Sequence, residues 1–404
     1  MATFLDPLFS FGERWGTGWD AFATALYTLE RDEVLRHAKA CSFLRRTGHC
    51  VVCAAKKGLK LCLCVLVSCS LHVAGPPCTD YSTQGGRQRH WGGTFACTLL
   101  WIVQRIQLDE DYWIHENVVQ YDRSSPVVQY DNGLLLVLLS PMFVIVSCEI
   151  DPLNLGWPAS RPRRLTIGIN KRLFKQFVAP LSVFVKICSR ECALTCFDFF
   201  VADTVALSYD LAWSRNRPSS CVKAHNLQHV RTVSEILYAY CLQSEWAMSL
   251  GLEDLNFLGG YRQLNRRGRR AIFYLNQDPD THEQWSRTKN EILPTIIANA
   301  TLMWCEFPDR SLSRLVCACE MLLFQGFVAC DGIASYGESS SFLRHSGCRT
   351  RPSMVRQSGN SMNSQVMGLL IVFVVSLVSK IEGVEEVEEE LTEFLAGFVK
   401  KPRK

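Results

Sequence analysis

The first half of the chain alternates short apolar runs of strand length with segments of 3.6-residue apolar periodicity, and this alternation restricts the fold more than any other feature. Residues 61–74 contain a strand. Phe95, Leu99, Ile102, Val103 and Ile106 form one helical face, and Tyr112-Trp113-Ile114 opens the next strand. A strand, a helix and a strand in that order make a parallel pair with a helical crossover, which predicts an α/β domain. Further strands are expected at 143–148 and 165–169. At 404 residues and 48% hydrophobic composition the chain can bury one large core or two ordinary ones.

Three longer apolar runs, at 59–75, 134–146 and 367–378, fall short of the ~18–20 residues that a spanning helix needs. They are expected to be buried strands, with no membrane segment. Nineteen cysteines, an odd count, behind a start that lacks a basic and then apolar leader predict a reduced, intracellular protein. The formal charge of +4 does not by itself imply a polyanionic partner, so clustering of charge decides. From about 175 to 310 the periodicity weakens and a basic segment, Arg262 to Arg270, carries Arg262, Arg266, Arg267, Arg269 and Arg270. This stretch reads as a second domain inserted into the first: 1–175 and 311–380 for the first, 176–310 for the second. Apolar helical character resumes at 312–327, a Gly/Ser/Arg-rich loop covers 331–358, and 381–404 form an acidic helix with a basic Lys-Lys-Pro-Arg-Lys tail. That tail fits a nuclear import signal or a solvated chain end.

Chemistry concentrates in three places. Val73-Ala74-Gly75-Pro76-Pro77-Cys78 puts a cysteine in a proline-stiffened loop just after a strand, where ligands of open α/β sheets gather. Ile114-His115-Glu116-Asn117-Val118 places titratable groups at the end of the next strand, and the 38 residues from Cys78 to Glu116 suit one crossover helix. Ser160-Arg161-Pro162-Arg163-Arg164 has arginines two apart on one side of an extended backbone, so that both guanidinium groups can serve one pocket. Taken singly, each has a plainer reading: an inert buried cysteine, a solvated acid, an exposed basic turn. Cys50-x-x-Cys53 with Cys62 and Cys64 is not spaced as a zinc site, so no metal is expected. Cys188, Cys192 and Cys196 recur at helical spacing and are expected on one packed helix face.

These elements, in this order, resemble the cytosine-5 DNA methyltransferase family. Cys78 falls on the family's Pro-Cys nucleophile, Glu116 on its Glu-Asn-Val acid, and Arg161 and Arg163 on its Gln-x-Arg-x-Arg arginines. Leu293-Pro294-Thr295-Ile296 resembles the segment leaving its target-recognition domain. Glu320 to Phe327 is similar to its Glu-x-x-Arg-Leu-Gln-Gly-Phe helix, and Gln357 to Ser361 to its final Gly-Asn motif. The resemblance covers about 71–378. It implies an S-adenosylmethionine-dependent methyltransferase domain of Rossmann-like fold with a smaller inserted target-recognition domain, acting on double-stranded DNA, and the basic tail adds a nuclear location as an expectation. Cys78 would attack a flipped cytosine, Glu116 would engage ring nitrogen 3, Arg163 the base carbonyl, and Arg161 would steady the loop. Phe9, Gly12, Glu33, Pro77, Asn360 and Ser361 would hold S-adenosyl-L-methionine, and the Arg262 to Arg270 cluster the phosphates.

This sequence departs from the family in the cofactor loop, Phe9 to Gly16, where bulky residues replace glycines. It departs again at Ala159, which stands where the family has glutamine. Glu30, Asp32 and Glu33 are alternatives for the cofactor ribose. Two other readings follow: the same chemistry on transfer RNA, and a non-catalytic nucleic-acid-binding relative.

Overall fold

The computed structural model describes residues 69–78, 81–82, 95–121, 138–202, 204–215, 270–277, 287–288, 290–306, 313–327 and 351–380. The chain divides into two compact units. The first is Met1–Ile150, Pro162–Cys188 and Leu369–Lys404, and the second is Asp151–Arg161 and Ser189–Gly368.

The first unit is α/β and is built on a mixed sheet. Strand β1 (Leu71–Ala74) leads through helix α1 (Phe95–Leu108) to β2 (Tyr112–Val118), and β1 and β2 pair in parallel as the crossover requires. Ile102, Val103 and Ile106 of α1 are buried, on the face that the periodicity selects. The helix stops where Asp109 takes φ +48°, a left-handed turn that aspartate tolerates, with its N–H on the Arg105 carbonyl. β3 (Phe143–Ile150) and β4 (Arg163–Asn170) complete the order β1-β2-β4-β3, with β4 antiparallel to both of its neighbours. In β2 every residue except Glu116 is buried, because strands flank it on both sides and Trp101 of α1 meets Trp113 edge-on at 5.2 Å. Trp113 pairs with Gly168 of β4, and that glycine makes room for the indole: a Cβ there would lie 1.9 Å from the ring.

β5 (Phe174–Phe177), α2 (Leu181–Cys188) and β9 (Val378–Lys380) finish this unit, with β5 antiparallel to β9. The apolar run at 367–378 is a helix, Ser364–Ser376, for most of its length rather than the expected strand. Its unit 1 portion buries Leu370, Phe373 and Val374, with Phe373 against Phe177 and Phe184, so a helical stripe decides the conformation. Among the described residues no single helix is long and apolar enough to cross a membrane.

The second unit has a three-stranded antiparallel sheet, β6 (Arg270–Tyr274), β7 (Leu302–Glu306) and β8 (Arg314–Leu315). Helices α3 (Thr204–Arg215), α4 (Ala318–Leu323) and α5 (Arg351–Asn360) accompany it. In chain order α6 is the helix Ser364–Ser376 already described. Ile272, Tyr274, Leu293, Ile296, Met321, Phe324 and Val355 share one core, so segments beyond residue 310 pack with the sheet of this unit.

Buried charge organises it. Arg314 makes two bonds to Glu320 (2.9 and 2.7 Å), and its guanidinium lies 5.3 Å over Phe200 and 5.2 Å over Trp304. Glu320 also accepts the N–H groups of Ala202 and Cys317. Asp210 accepts the Ala318 N–H and the Arg351 Nε, each at 2.9 Å. These bonds correct two expectations. The helix expected over 312–327 is confined to α4, because Arg314–Leu315 pairs with β7 and the chain turns into the helix only at the capped Cys317. The loop expected through 358 is helical from Arg351, whose guanidinium is anchored on Asp210. The cysteine stripe also fails: α2 ends at Cys188, Cys192 lies in a loop with its thiol on the Gly156 carbonyl, and Cys196 opens a 3-10 turn.

Replacing Gly168 with alanine drives a methyl into the Trp113 ring and should destabilise the protein by about 1–3 kcal/mol. Equilibrium denaturation followed by tryptophan fluorescence measures it.

Candidate active site

Strand direction assembles the site in the first unit. β1 and β2 run parallel with Ala74 opposite His115, so the loop Gly75 to Cys78 and the carboxylate of Glu116 leave the sheet at the same edge. β4 runs the other way, so its amino end arrives there too, with Arg163 opposite Val118 and Leu165 opposite Glu116. Arg163 is two residues from Leu165 on the same face, hence a diagonal neighbour of Glu116 within reach of a long side chain. Its Nε sits 2.8 Å from Glu116 Oε1, with both side chains largely buried. The contact is an ion pair without the direction of a hydrogen bond, and this Oε1 accepts no hydrogen bond among the described residues. Arg163 Nη1 donates to the Pro162 carbonyl. The pair thus presents a carboxylate with acceptor capacity beside a guanidinium with remaining donors.

The cysteine loop is tied to the same strand end. Asn117 Nδ2 lies 3.5 Å from the Pro76 carbonyl, a long contact, while its Oδ1 accepts the Val118 N–H. Cys78 is half-buried, and its carbonyl accepts the N–H groups of Tyr81 and Ser82, which closes a tight turn. Tyr81 then packs edge-on against Tyr121 at 4.8 Å; Tyr121 meets His115 at 4.9 Å, and His115 meets Trp101 at 5.0 Å. This aromatic row holds the turn after the sulfur against the carboxyl end of β2. Sequence reasoning missed it, since Tyr81, Tyr121 and Trp101 carry no signal of proximity. Three other thiols are held above the usual thiol range: burial and Glu149 push Cys148 up to about 12, and burial raises Cys196 and Cys305 as well.

Arg161 belongs to the second unit and acts differently from Arg163, so the expectation of two guanidinium groups serving one pocket is corrected. Nη1 donates to the Ile296 carbonyl (2.9 Å), and Nη2 to those of Gly359 (2.9 Å) and Ser361 (3.0 Å). Its own N–H bonds Asp151, and Ala159 bridges Leu293 in parallel. Three segments that resemble family motifs, around Arg161, Leu293 and Gly359, are therefore stitched through one side chain. Gly359 is needed for this approach: a Cβ would lie 2.1 Å from the Ala298 backbone nitrogen.

Of the residues expected to hold a cofactor, Phe9, Gly12 and Glu33 lie outside the described residues. Pro77 is exposed in the first unit. Asn360 is exposed at the end of α5, and Ser361 has its hydroxyl on Ser358 and its carbonyl on Arg161. Of the basic cluster, Arg262, Arg266, Arg267 and Arg269 lie outside the described residues. Arg270 is exposed at the start of β6, with its guanidinium 5.7 Å over Phe197.

No family model and no curated protein matches this chain. Solved structures do. A protein described as a DNA modification methyltransferase encoded within an E. coli prophage is 14% identical, over 76% of this chain and 79% of that one, with a TM-score of 0.40. The Entamoeba histolytica methyltransferase EhMeth is 13% identical, over 76% and 77%, with a TM-score of 0.38. The S. pombe Dnmt2 methyltransferase is 13% identical over the same shares, with a TM-score of 0.41.

His115, beside Glu116, is fully buried and neither ring nitrogen has a hydrogen-bond partner among the described residues. Burial lowers its pKa to about 3, and burial with the nearby Arg105 lowers His72 to about 4. Both folded values lie below the unfolded value of 6.5, so the unfolded state takes up protons first as the pH falls. Stability should be complete above pH 6.5 and fall from there toward pH 4, by up to ~1.4 kcal/mol per pH unit for each imidazole. In urea titrations between pH 7 and 5, His115→Phe should flatten that slope without weakening the protein at pH 7.

Proposed function

We propose that this chain is an S-adenosylmethionine-dependent cytosine-5 methyltransferase acting on DNA. The observation that carries the reading is the Glu116–Arg163 pair at 2.8 Å, at the sheet edge where the Pro76-Pro77-Cys78 loop emerges. A carboxyl and a guanidinium side by side match the adjacent ring nitrogen 3 and carbonyl of a cytosine, which a single donor or acceptor would not orient.

In this reading the Cys78 thiolate forms a bond to carbon 6 of the base. The carbon 5–carbon 6 π electrons move to carbon 5, and negative charge develops on the ring nitrogen 3 and carbonyl side. Glu116 protonates or hydrogen-bonds nitrogen 3, and Arg163 holds the carbonyl where the charge grows. S-adenosylmethionine would supply the methyl group. Loss of the carbon 5 proton to solvent then restores the double bond and expels the Cys78 sulfur as thiolate, and any proton given to nitrogen 3 returns to Glu116. The reacting carbon lies inside a stacked duplex, so the base must be flipped out at a cost of a few kcal/mol. Phosphate contacts from the Arg262 to Arg270 cluster would offset that cost. Arg161 is a positioning residue that fixes backbone in the second unit.

A duplex carrying 5-fluorocytosine tests the reading, because fluorine at carbon 5 blocks the final proton loss and preserves the sulfur–base bond. The wild-type chain with S-adenosylmethionine should form a denaturation-resistant adduct, and Cys78→Ser should form none. An adduct of equal yield from Cys78→Ser removes the sulfur from its role. Equal or faster methyl transfer to transfer RNA than to DNA would reassign the substrate.

Arg163→Ala should lower kcat by roughly 10²–10³-fold and Glu116→Gln by roughly 10²–10⁴-fold, with thermal midpoints recorded to exclude unfolding. Losses below threefold in both would separate the pair from the chemistry.

A further inference from the structure

At the opposite, amino-terminal edge of the same two strands lies a cluster that the methyl-transfer reading does not use. Cys69 precedes β1, His72 is its second residue, and Glu110 lies between α1 and β2. The parallel register pairs Leu71 with Tyr112, and the Tyr112 N–H bonds the Ser70 carbonyl, so the same register carried back two residues sets Cys69 against Glu110. Cys69 Sγ is 3.2 Å from Glu110 Oε1, and His72 Nδ1 is 3.9 Å from the same oxygen. All three donor atoms lie within 4.8 Å of one another.

We propose that Cys69, His72 and Glu110 bind a thiophilic divalent cation of the zinc class. Bonds of ~2.3 Å to sulfur and ~2.0 Å to nitrogen and oxygen at tetrahedral angles require donor separations of roughly 3.3–3.6 Å. The 3.2 and 3.9 Å separations from Glu110 Oε1 bracket that range, and the sulfur and the imidazole nitrogen lie within 4.8 Å of each other, within reach of side-chain rotation. Thiolate, imidazole and carboxylate are the zinc donor set, and three protein donors leave the fourth position to water. Arg105 bonds Glu110 through Oε2, leaving Oε1 to the cation; an ionic partner on the outer carboxylate oxygen orients a ligand in this way.

The surrounding structure fixes the ligands in advance. Asn170 Nδ2 donates to the Glu110 carbonyl and to Asp109, and the His72 ring lies 6.3 Å from Trp101. Neighbouring charges are Arg105, Asp109, Asp111 and Arg172, the last paired with both aspartates. Cys69 is exposed and His72 half-buried, which gives an ion a way in. A bound cation would cross-link the starts of β1 and β2. Its expected consequence is stability rather than turnover, because the reacting sulfur is at the far end of β1.

Cobalt(II) titration of the reduced, metal-free full chain tests the proposal, since sulfur-to-cobalt charge transfer and visible tetrahedral bands report the donor set. The wild type should bind about one equivalent more than either Cys69→Ser or His72→Phe, and lose the corresponding bands in both. Zinc should raise the thermal midpoint of the wild type and leave both variants unchanged. Serine retains a hydroxyl for Glu110 and phenylalanine retains a ring against Trp101, and circular dichroism verifies that both variants fold. Equal stoichiometry and spectra in wild type and either variant would overturn the site, as would a change in Cys69→Ser alone, which would mark simple thiol chemistry.

Discussion

The first unit depends on one topological constraint: β4 runs antiparallel between β2 and β3. Because β2 ends where β4 begins, the carboxylate of one strand and the guanidinium of the other meet at a shared edge without any special loop. Had β4 been parallel, Arg163 would stand at the far edge and Glu116 would face that end of the sheet without it. The same register places Gly168 under Trp113, so the pairing that brings the charges together also makes the close packing beneath them.

The second unit relies on charge to achieve what its short elements cannot. α4 has six residues, too few to be stable by propensity alone, yet all six are buried. Its amino end receives Asp210 and Glu320, and each of these acids is matched by a buried arginine. Desolvation raises the pKa of Asp210, and Arg351 with the Ala318 N–H opposes that rise. Removing one member of such a pair leaves a buried charge uncompensated, which typically costs 3–5 kcal/mol. Arg161 plays a related part with carbonyls in place of acids, donating to the backbone oxygens of Ile296, Gly359 and Ser361.

Much of the first unit was legible because burial writes a period into sequence. Tyr112-Trp113-Ile114 and the apolar positions of α1 lie on the elements expected, and Ile102, Val103 and Ile106 are buried. That Glu116 closes β2 beside the loop after β1, and that Arg163 opens β4 next to it, was also legible, since each motif flanks a strand and strand ends are few. Patterns failed where a distant partner chose the conformation. The apolar run 367–378 suits a strand or a helix equally by composition. Arg351 to Asn360 has the composition of a loop and becomes a helix once Arg351 meets Asp210, 141 residues away.

By itself, then, the sequence determined which segments alternate as strand, helix and strand, because local periodicity is a property of neighbours along the chain. Tertiary structure alone decided that Arg163 turns to Glu116 while Arg161, two residues earlier, turns to the carbonyls of Ile296, Gly359 and Ser361. It also decided that Tyr81, Tyr121 and His115 stack behind the cysteine turn. Both outcomes rest on contacts between segments far apart in sequence, whose geometry comes from strand register and from the need to satisfy every buried donor and acceptor.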